Sequence, residues 1–277
     1  MRWLRLLRSA GSAAIEDDML NWAATLAFYF LFALFPTVLL AASLLSAFHA
    51  QGLVNNLVVA LTRNLPTHAA DLVATQLNGL LIHHVPGLVS IDVIILVYAA
   101  SQGFTALMAA LNAAYEARET RGYLKRVGLA LLLTVSAGML LAIALGILIS
   151  GQQLLTILTG HIHLGFAGSL LWPAIRWAIT LAFMILALLL LYRFAPDGVH
   201  TSVGTLPAVL IALAVWIIAS AVLSAYINNF GNYSAVYGSL GAVIGLMLWF
   251  YVLGISVLFG AEVHSAWLKD HGIRLLS

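Results

Sequence analysis

From Leu240 through Ala261 the chain runs for 22 residues without a charged side chain. Wound as a helix at 1.5 Å per residue, that stretch is about 33 Å long, the full thickness of a bilayer's hydrocarbon layer. Composition decides whether lipid or a soluble core surrounds it. Of 277 residues, 63% are hydrophobic and 8% charged, with a mean hydropathy of +1.04. A soluble domain carries roughly 25% charged residues. The chain therefore reads as a polytopic membrane protein.

Six apolar segments of spanning length are expected, at 22–48, 88–115, 124–150, 173–195, 205–229 and 239–266. None alternates with the two-residue period of a barrel strand, so the fold class is all-α, a membrane helical bundle. Residues 1–277 read as one integral membrane domain. No short apolar core is followed by a cleavage site, so the first segment is expected to serve as an uncleaved anchor. The chain has no cysteine, which excludes a disulfide framework and thiolate chemistry.

Lysine and arginine set the expected orientation. Arg2, Arg5 and Arg8 precede the first segment; Arg118, Arg121, Lys125 and Arg126 lie between the second and third. Arg193 ends the fourth, and Lys269 and Arg274 follow the sixth. Ten of the twelve basic residues thus fall on one face of a six-helix arrangement. The positive-inside rule makes that face, with both termini, cytoplasmic.

Two further regions are amphipathic. Residues 1–20 begin MRWLRLLRSA, with Trp3, Leu6, Leu7 and Ala10 on one helical face and arginines on the other. This segment is either a helix lying flat among cytoplasmic headgroups or a basic tail that guides insertion. Residues 51–87 carry the stripes Leu53, Val54, Leu57, Val58, Leu61 and Leu72, Val73, Leu77, Leu80, Leu81. They are expected to form two extracytoplasmic amphipathic helices, capping the bundle or lying on the outer leaflet.

Polar groups inside such a chain are the candidate sites, because lipid penalises them unless they are paired or hydrated. At the inner end, Asn21, Asn112, Glu116, Arg118 and Glu262 share a height and are expected to form a polar cluster; Glu262, near the cytoplasmic boundary, is either turned into the bundle toward Arg118 or Asn21 or is a solvated acid at the helix end. Near the outer end, Asp92 and Arg176 either pair or reach separately for the interface. Gln102 lies near mid-membrane as interhelical glue or a substrate ligand. The histidine pairs His83–His84 and His161–His163 lack a carboxylate or cysteine to complete a metal set, so no metal site and no cofactor are expected. No phosphate loop, nucleophile elbow or zincin motif is present.

The ordered motifs YRFAPDG (192–198), YSAVYGSLGA from Tyr233, LWFY from Leu248 and LFGAEVHSAW from Leu258, with AATLAFYFLFALFP ending at Pro36, make the chain resemble the YihY/virulence-factor BrkB family. The resemblance covers nearly the whole chain, departing at GTLPAVL, where the family has Pro-Gly-Ala. It implies a six-helix protein of the bacterial inner membrane without an established activity. It also implies roles discussed in terms of envelope integrity, serum resistance and lipid transport. The family's old ribonuclease BN label is regarded as a misassignment. Together with the amphipathic flanks, this favours a non-enzymatic transporter of lipids or amphiphiles, with membrane lipids as partners. The alternative is a structural or assembly factor with envelope-protein partners. Nucleic acid is not an expected partner. The basic loop at 118–126 carries no accompanying catalytic cluster, and topology alone accounts for its charge.

Overall fold

A computed structural model describes residues 2–47, 89–140, 143, 165–198, 203–229 and 239–273, and every regular element among them is a helix. These are α1 (Arg2–Glu16), α2 (Met19–Ala47), α3 (Val89–Ala114), α4 (Tyr123–Leu140), α5 (Gly165–Phe194), α6 (Thr205–Asn229) and α7 (Ser239–Asp270). Four described segments are long and apolar enough to cross a membrane: Tyr123–Leu140, Trp172–Phe194, Thr205–Tyr226 and Val243–Asp270. The helices α2 and α3 occupy the first and second expected segments; the apolar run of α2 that meets the same composition, Met19–Leu34, is shorter. Residues 51–87 and the four loop histidines lie outside the described residues.

The central element is α7, which packs against α1, α2, α3 and α6. Glycines set how closely its neighbours approach. A Cβ on Gly254 would meet the backbone of Ala23 on α2 at 3.2 Å. A Cβ on Gly260 would meet the Ala212 methyl on α6 at 2.7 Å and collide with the Tyr192 hydroxyl from α5. That hydroxyl donates to the Val257 carbonyl at 2.6 Å, joining α5 to α7. On α3, Gly103 lies beneath the Phe30 ring of α2. Phe30, Phe104 and Phe250 form an aromatic layer joining α2, α3 and α7, and Trp216 of α6 meets Trp249 of α7 edge-on at 6.3 Å. Gly241 and Gly245, one turn apart nearer the start of α7, are partly exposed.

Several hydroxyls within the helices are satisfied locally, as a medium without water favours, whereas Ser220 and Ser265 have buried hydroxyls with no hydrogen-bond partner. Thr105, Thr134, Thr180 and Ser256 each donate to the carbonyl one turn earlier.

The surroundings of α7 change along its length. Val243, Ile244, Met247, Leu248 and Trp249 are exposed, Ile244 to 40%. From Gly254 onward the helix is enclosed, and Gly260 through Ala266 are buried without interruption. Among the described residues, the bundle is most enclosed at the end holding α1 and the α3–α4 and α5–α6 connections.

The amphipathic N-terminal segment forms α1, and its burial is against protein. Leu6, Ala10 and Ala14 are buried, and Ala10 packs with Val263 and Ala266 of α7. Leu7, expected on the same face, is exposed, because the buried stripe follows positions 6, 10 and 14. Asp18, at φ 58°, turns the chain from α1 into α2.

Replacing Gly260 with Ala should destabilise the purified protein in detergent by about 1–3 kcal/mol, the usual cost of overpacking. Tyr192→Phe removes the atom that the new methyl strikes, so the two changes together should cost less than their sum in thermal unfolding.

Candidate functional site

The tight end concentrates the polar groups of the described chain. It begins where α3 stops. The amide of Glu116 donates to Ala113 and that of Ala117 to Asn112, a Schellman closure whose left-handed position, φ 52°, is held by a glutamate where glycine is usual. The chain then crosses to the end of α5 and is fixed there. Arg121 donates to both oxygens of Glu119, at 2.6 and 2.7 Å, and to the carbonyls of Phe194 and Ala195 that close α5. The Thr120 amide and hydroxyl both donate to Asp197 Oδ2, at 2.6 and 2.7 Å. Asn112 completes the clamp by donating to Glu119 at 3.0 Å and accepting from the Asp197 amide at 2.7 Å.

These contacts set the charge states. Partial burial pushes the Glu119 carboxyl up, but the Arg121 hydrogen bonds and charge outweigh it and hold the group below its ordinary value. Asp197 behaves likewise: burial raises it, and the Thr120 hydrogen bonds and Arg121 charge bring it below the ordinary range. Asp17, by contrast, is raised by burial and by the neighbouring charge of Glu116.

Deeper in, His264 is fully buried. Its Nε2 faces the Val203 carbonyl at 3.0 Å and therefore carries the proton; Nδ1 accepts from the Tyr115 hydroxyl at 2.9 Å. This joins α7 to the ends of α3 and of the α5–α6 connection. That connection needs Gly204, at φ 80°, because a side chain there would strike the Trp267 ring. Both imidazole nitrogens are committed to structure.

Glu262 lies in the same end, 2% exposed, under the electrostatic influence of Asp17, Lys269 and Glu116. The Lys269 ammonium is bound to Glu116 at 2.7 Å. The five residues expected to cluster thus divide. Asn112 belongs to the α3–α5 clamp, and Glu116 and Glu262 lie around Lys269 and Asp17. Asn21 and Arg118 lie apart, both exposed, and neither is hydrogen-bonded to Glu262. Of the outer pair, the Asp92 side chain lies outside the described residues; Arg176 has a buried Nε with no hydrogen-bond partner. Gln102 donates weakly to the Tyr98 carbonyl of its own helix at 3.4 Å. Among the described residues no three His, Cys, Asp or Glu side chains gather to hold a metal.

The residues that sequence reasoning did not select are Tyr115, Glu119, Thr120, Asp197 and His264. Asp197 and His264 stand within the motifs YRFAPDG and LFGAEVHSAW, where the sequence assigned them no role. An acid, a hydroxyl and an arginine in successive positions, Glu119–Thr120–Arg121, were the available sign of a folded connection.

A model of the virulence factor BrkB family matches residues 10–272, which takes in every element of this clamp. The chain belongs to the virulence factor BrkB family. It is 29% identical over 248 residues to the putative ribonuclease-like protein YfkH of Bacillus subtilis (strain 168), a match covering 88% of each chain. It is 34% identical over 86 residues to UPF0761 membrane proteins of Xanthomonas oryzae pv. oryzae (strain PXO99A) and Xanthomonas axonopodis pv. citri (strain 306), which is 31% of this chain and 20% of each relative. No solved structure matches the chain. Membrane residence and BrkB membership are thereby joined to a bundle closed by polar contacts at one end.

The clamp makes stability acid-sensitive with a defined sign. A carboxyl held below its ordinary value stabilises the fold above that value and loses the contribution as pH falls through the depressed one. The thermal stability of the detergent-solubilised protein should therefore fall as pH drops below the ordinary values of 4.5 for Glu119 and 3.8 for Asp197. Asp197→Ala should cost about 2 kcal/mol at neutral pH, the typical loss of hydrogen bonds to a charged acceptor. It should also flatten the acid limb. Asp17→Asn should shift stability the other way, upward at neutral pH.

Proposed function

We propose that this BrkB-family protein is a transporter of lipids or lipid-shaped amphiphiles in the bacterial inner membrane. In this reading it has six spans and cytoplasmic termini, and is closed at its cytoplasmic end. The observation that carries the reading is the change along α7: the central helix is enclosed from Gly254 to Leu268 and exposed from Val243 to Trp249. A helix at the centre of a bundle is ordinarily apolar and covered all round. In this reading the five exposed apolar residues between Val243 and Trp249 line a membrane-embedded groove that takes acyl chains. The exposed residues are aliphatic and aromatic, suited to hydrocarbon.

Orientation rests on the ten-to-two division of basic residues. The residues of the tight end then face the cytoplasm, and the groove opens to the outer leaflet. In a chain free of cysteine, Arg118→Cys should resist a membrane-impermeant maleimide in spheroplasts and react once the membrane is opened. Labelling from outside would invert the arrangement.

The name of YfkH raises RNA cleavage as another chemistry. The tight end offers it little support, because His264 is fully buried with both nitrogens occupied. A general base must reach the proton it removes.

The deciding experiment is reconstitution. Purified protein in liposomes should accelerate the exchange of a fluorescent phospholipid between leaflets over protein-free vesicles. Glu262→Gln, which keeps shape and removes the ionisable group from the closed end, should slow that exchange without unfolding the protein. Exchange at the protein-free rate would defeat the transport reading and favour the scaffold alternative, in which the exposed half of α7 receives another membrane protein.

A further inference from the structure

Where α1 crosses the end of α7, the two helices leave a cleft of about 440 Å³ lined by Arg5, Leu6, Ser9, Ala266, Lys269 and Asp270. We propose that this cleft is a binding site for the phosphate of an anionic phospholipid headgroup, distinct from the groove along α7 and independent of whether the protein transports lipid.

Position is the first argument. The apolar run of α7 ends at Ala261, after about 33 Å of helix. The contact with α1 is made at Val263 and Ala266, two and five residues further on, about half a turn to one and a half turns. This places α1 in the headgroup layer, roughly 5–8 Å deep on each side of the hydrocarbon. The apolar stripe of α1 is buried against α7, so α1 does not need acyl chains to cover it. Its flank is what meets the lipid surface.

Chemistry is the second. Arg5 and Ser9 are one helical turn apart, so their side chains enter the cleft from the same flank of α1. Arg5 is exposed and makes no ion pair with a described residue, whereas Arg121 and Lys269 each have a carboxylate within 2.7 Å. A guanidinium presents paired donors that fit two phosphate oxygens, and a serine hydroxyl can take a third. Lys269 sits opposite; its bond to Glu116 fixes the ammonium and leaves further donors free. Leu6 and Ala266 supply an apolar wall for the glycerol and upper chain. Asp270 is the one acid among the described lining residues, and it opposes an anion. Those residues carry two cations and one acid, and the cleft's volume lies within the ordinary range for small-ligand clefts, about 300–1,000 Å³.

A basic helix draws anionic lipid by general attraction as well, and Arg8 lies on the same helix outside the cleft lining. Comparing the two arginines separates a built site from a charged surface. The full-length protein, purified in a neutral detergent at physiological salt, is titrated with phosphatidylglycerol, phosphatidylcholine or inorganic phosphate. Bound lipid is counted by native mass spectrometry. Phosphatidylglycerol should bind preferentially. Arg5→Gln should weaken it about tenfold, the loss expected for charge-assisted hydrogen bonds, while Arg5→Lys keeps part of the affinity. Asp270→Asn should tighten binding, and Arg8→Gln should match the unmodified protein. Circular dichroism of each variant establishes that α1 and the bundle remain helical.

Equal losses from Arg5→Gln and Arg8→Gln would overturn the site, since only diffuse charge would then be acting. Phosphatidylcholine binding as tightly as phosphatidylglycerol would also overturn it. Displacement of phosphatidylglycerol by equimolar inorganic phosphate would assign the cleft to a free anion and overturn the lipid source. None of these readouts depends on leaflet exchange, so the outcome stands whether or not the reconstituted protein moves lipid.

Discussion

Enclosing one helix on every side is a steric problem before it is an energetic one. Neighbouring helices pack with axes about 8–10 Å apart, and the smaller separations require contact residues that present almost no side chain. In α7 those residues are Gly254 against α2 and Gly260 against α6 and the Tyr192 hydroxyl. They lie six residues apart and so face different neighbours, which is how one helix meets two partners closely. Without hydrophobic driving force between helices in lipid, the contact energy comes from packing itself. At the tight end α7 turns Gly254 and Gly260 to its neighbours, and toward its other end its exposed positions carry Ile244, Met247, Leu248 and Trp249.

Close packing then creates a second demand. Bringing helix ends together buries backbone groups that water would otherwise satisfy, and the last carbonyls of each helix have no partner within it. At the end of α5 Arg121 supplies the donors, and at the end of α3 a Schellman closure does. The left-handed residue of that closure is Glu116, where an L side chain costs roughly 1–2 kcal/mol relative to glycine. Its carboxylate in turn holds Lys269, tying the end of α7 to the end of α3. The strain and the ion pair are properties of one residue, which accounts for a glutamate where glycine is the easier choice.

The helical class was legible because an uninterrupted apolar run of about 20 residues suits a membrane-spanning helix and little else, and four described helices meet the spanning criterion by the same measure. The N-terminal helix was legible as amphipathic, but its partner was not. A stripe of Leu6, Ala10 and Ala14 suits a lipid surface or a protein groove equally well, and two alanines in three buried positions were the hint of close helix contact. The α3–α5 clamp was beyond reach for a different reason. Thr120 and Asp197 stand 77 residues apart, and nothing in either local pattern names the other. Polar residues in short connections looked like topological charge because charge counting treats Arg121 as a sign only. The structure uses its fork geometry.

Glu262 shows where the two kinds of inference part. Counting 22 apolar residues at 1.5 Å each puts the carboxylate near the edge of the hydrocarbon. The step from depth to solvation does not follow. Depth is a property of one helix, whereas exposure depends on what other elements do at the same height. Here α1 turns at Asp18 to lie across α7, the α3 terminus brings Glu116, and the α5–α6 connection brings Val203 onto His264. Glu262 is left 2% exposed at a level where an isolated helix would be in water. Its neighbours include two acids, Asp17 and Glu116, and a lysine already bound to one of them. A carboxyl in that setting gains little from its surroundings as a charge. Its retention inside a tightly packed end costs more than a well-packed apolar side chain would. That imbalance, more than depth in the membrane, marks Glu262 as the residue of the closed end whose replacement is most informative.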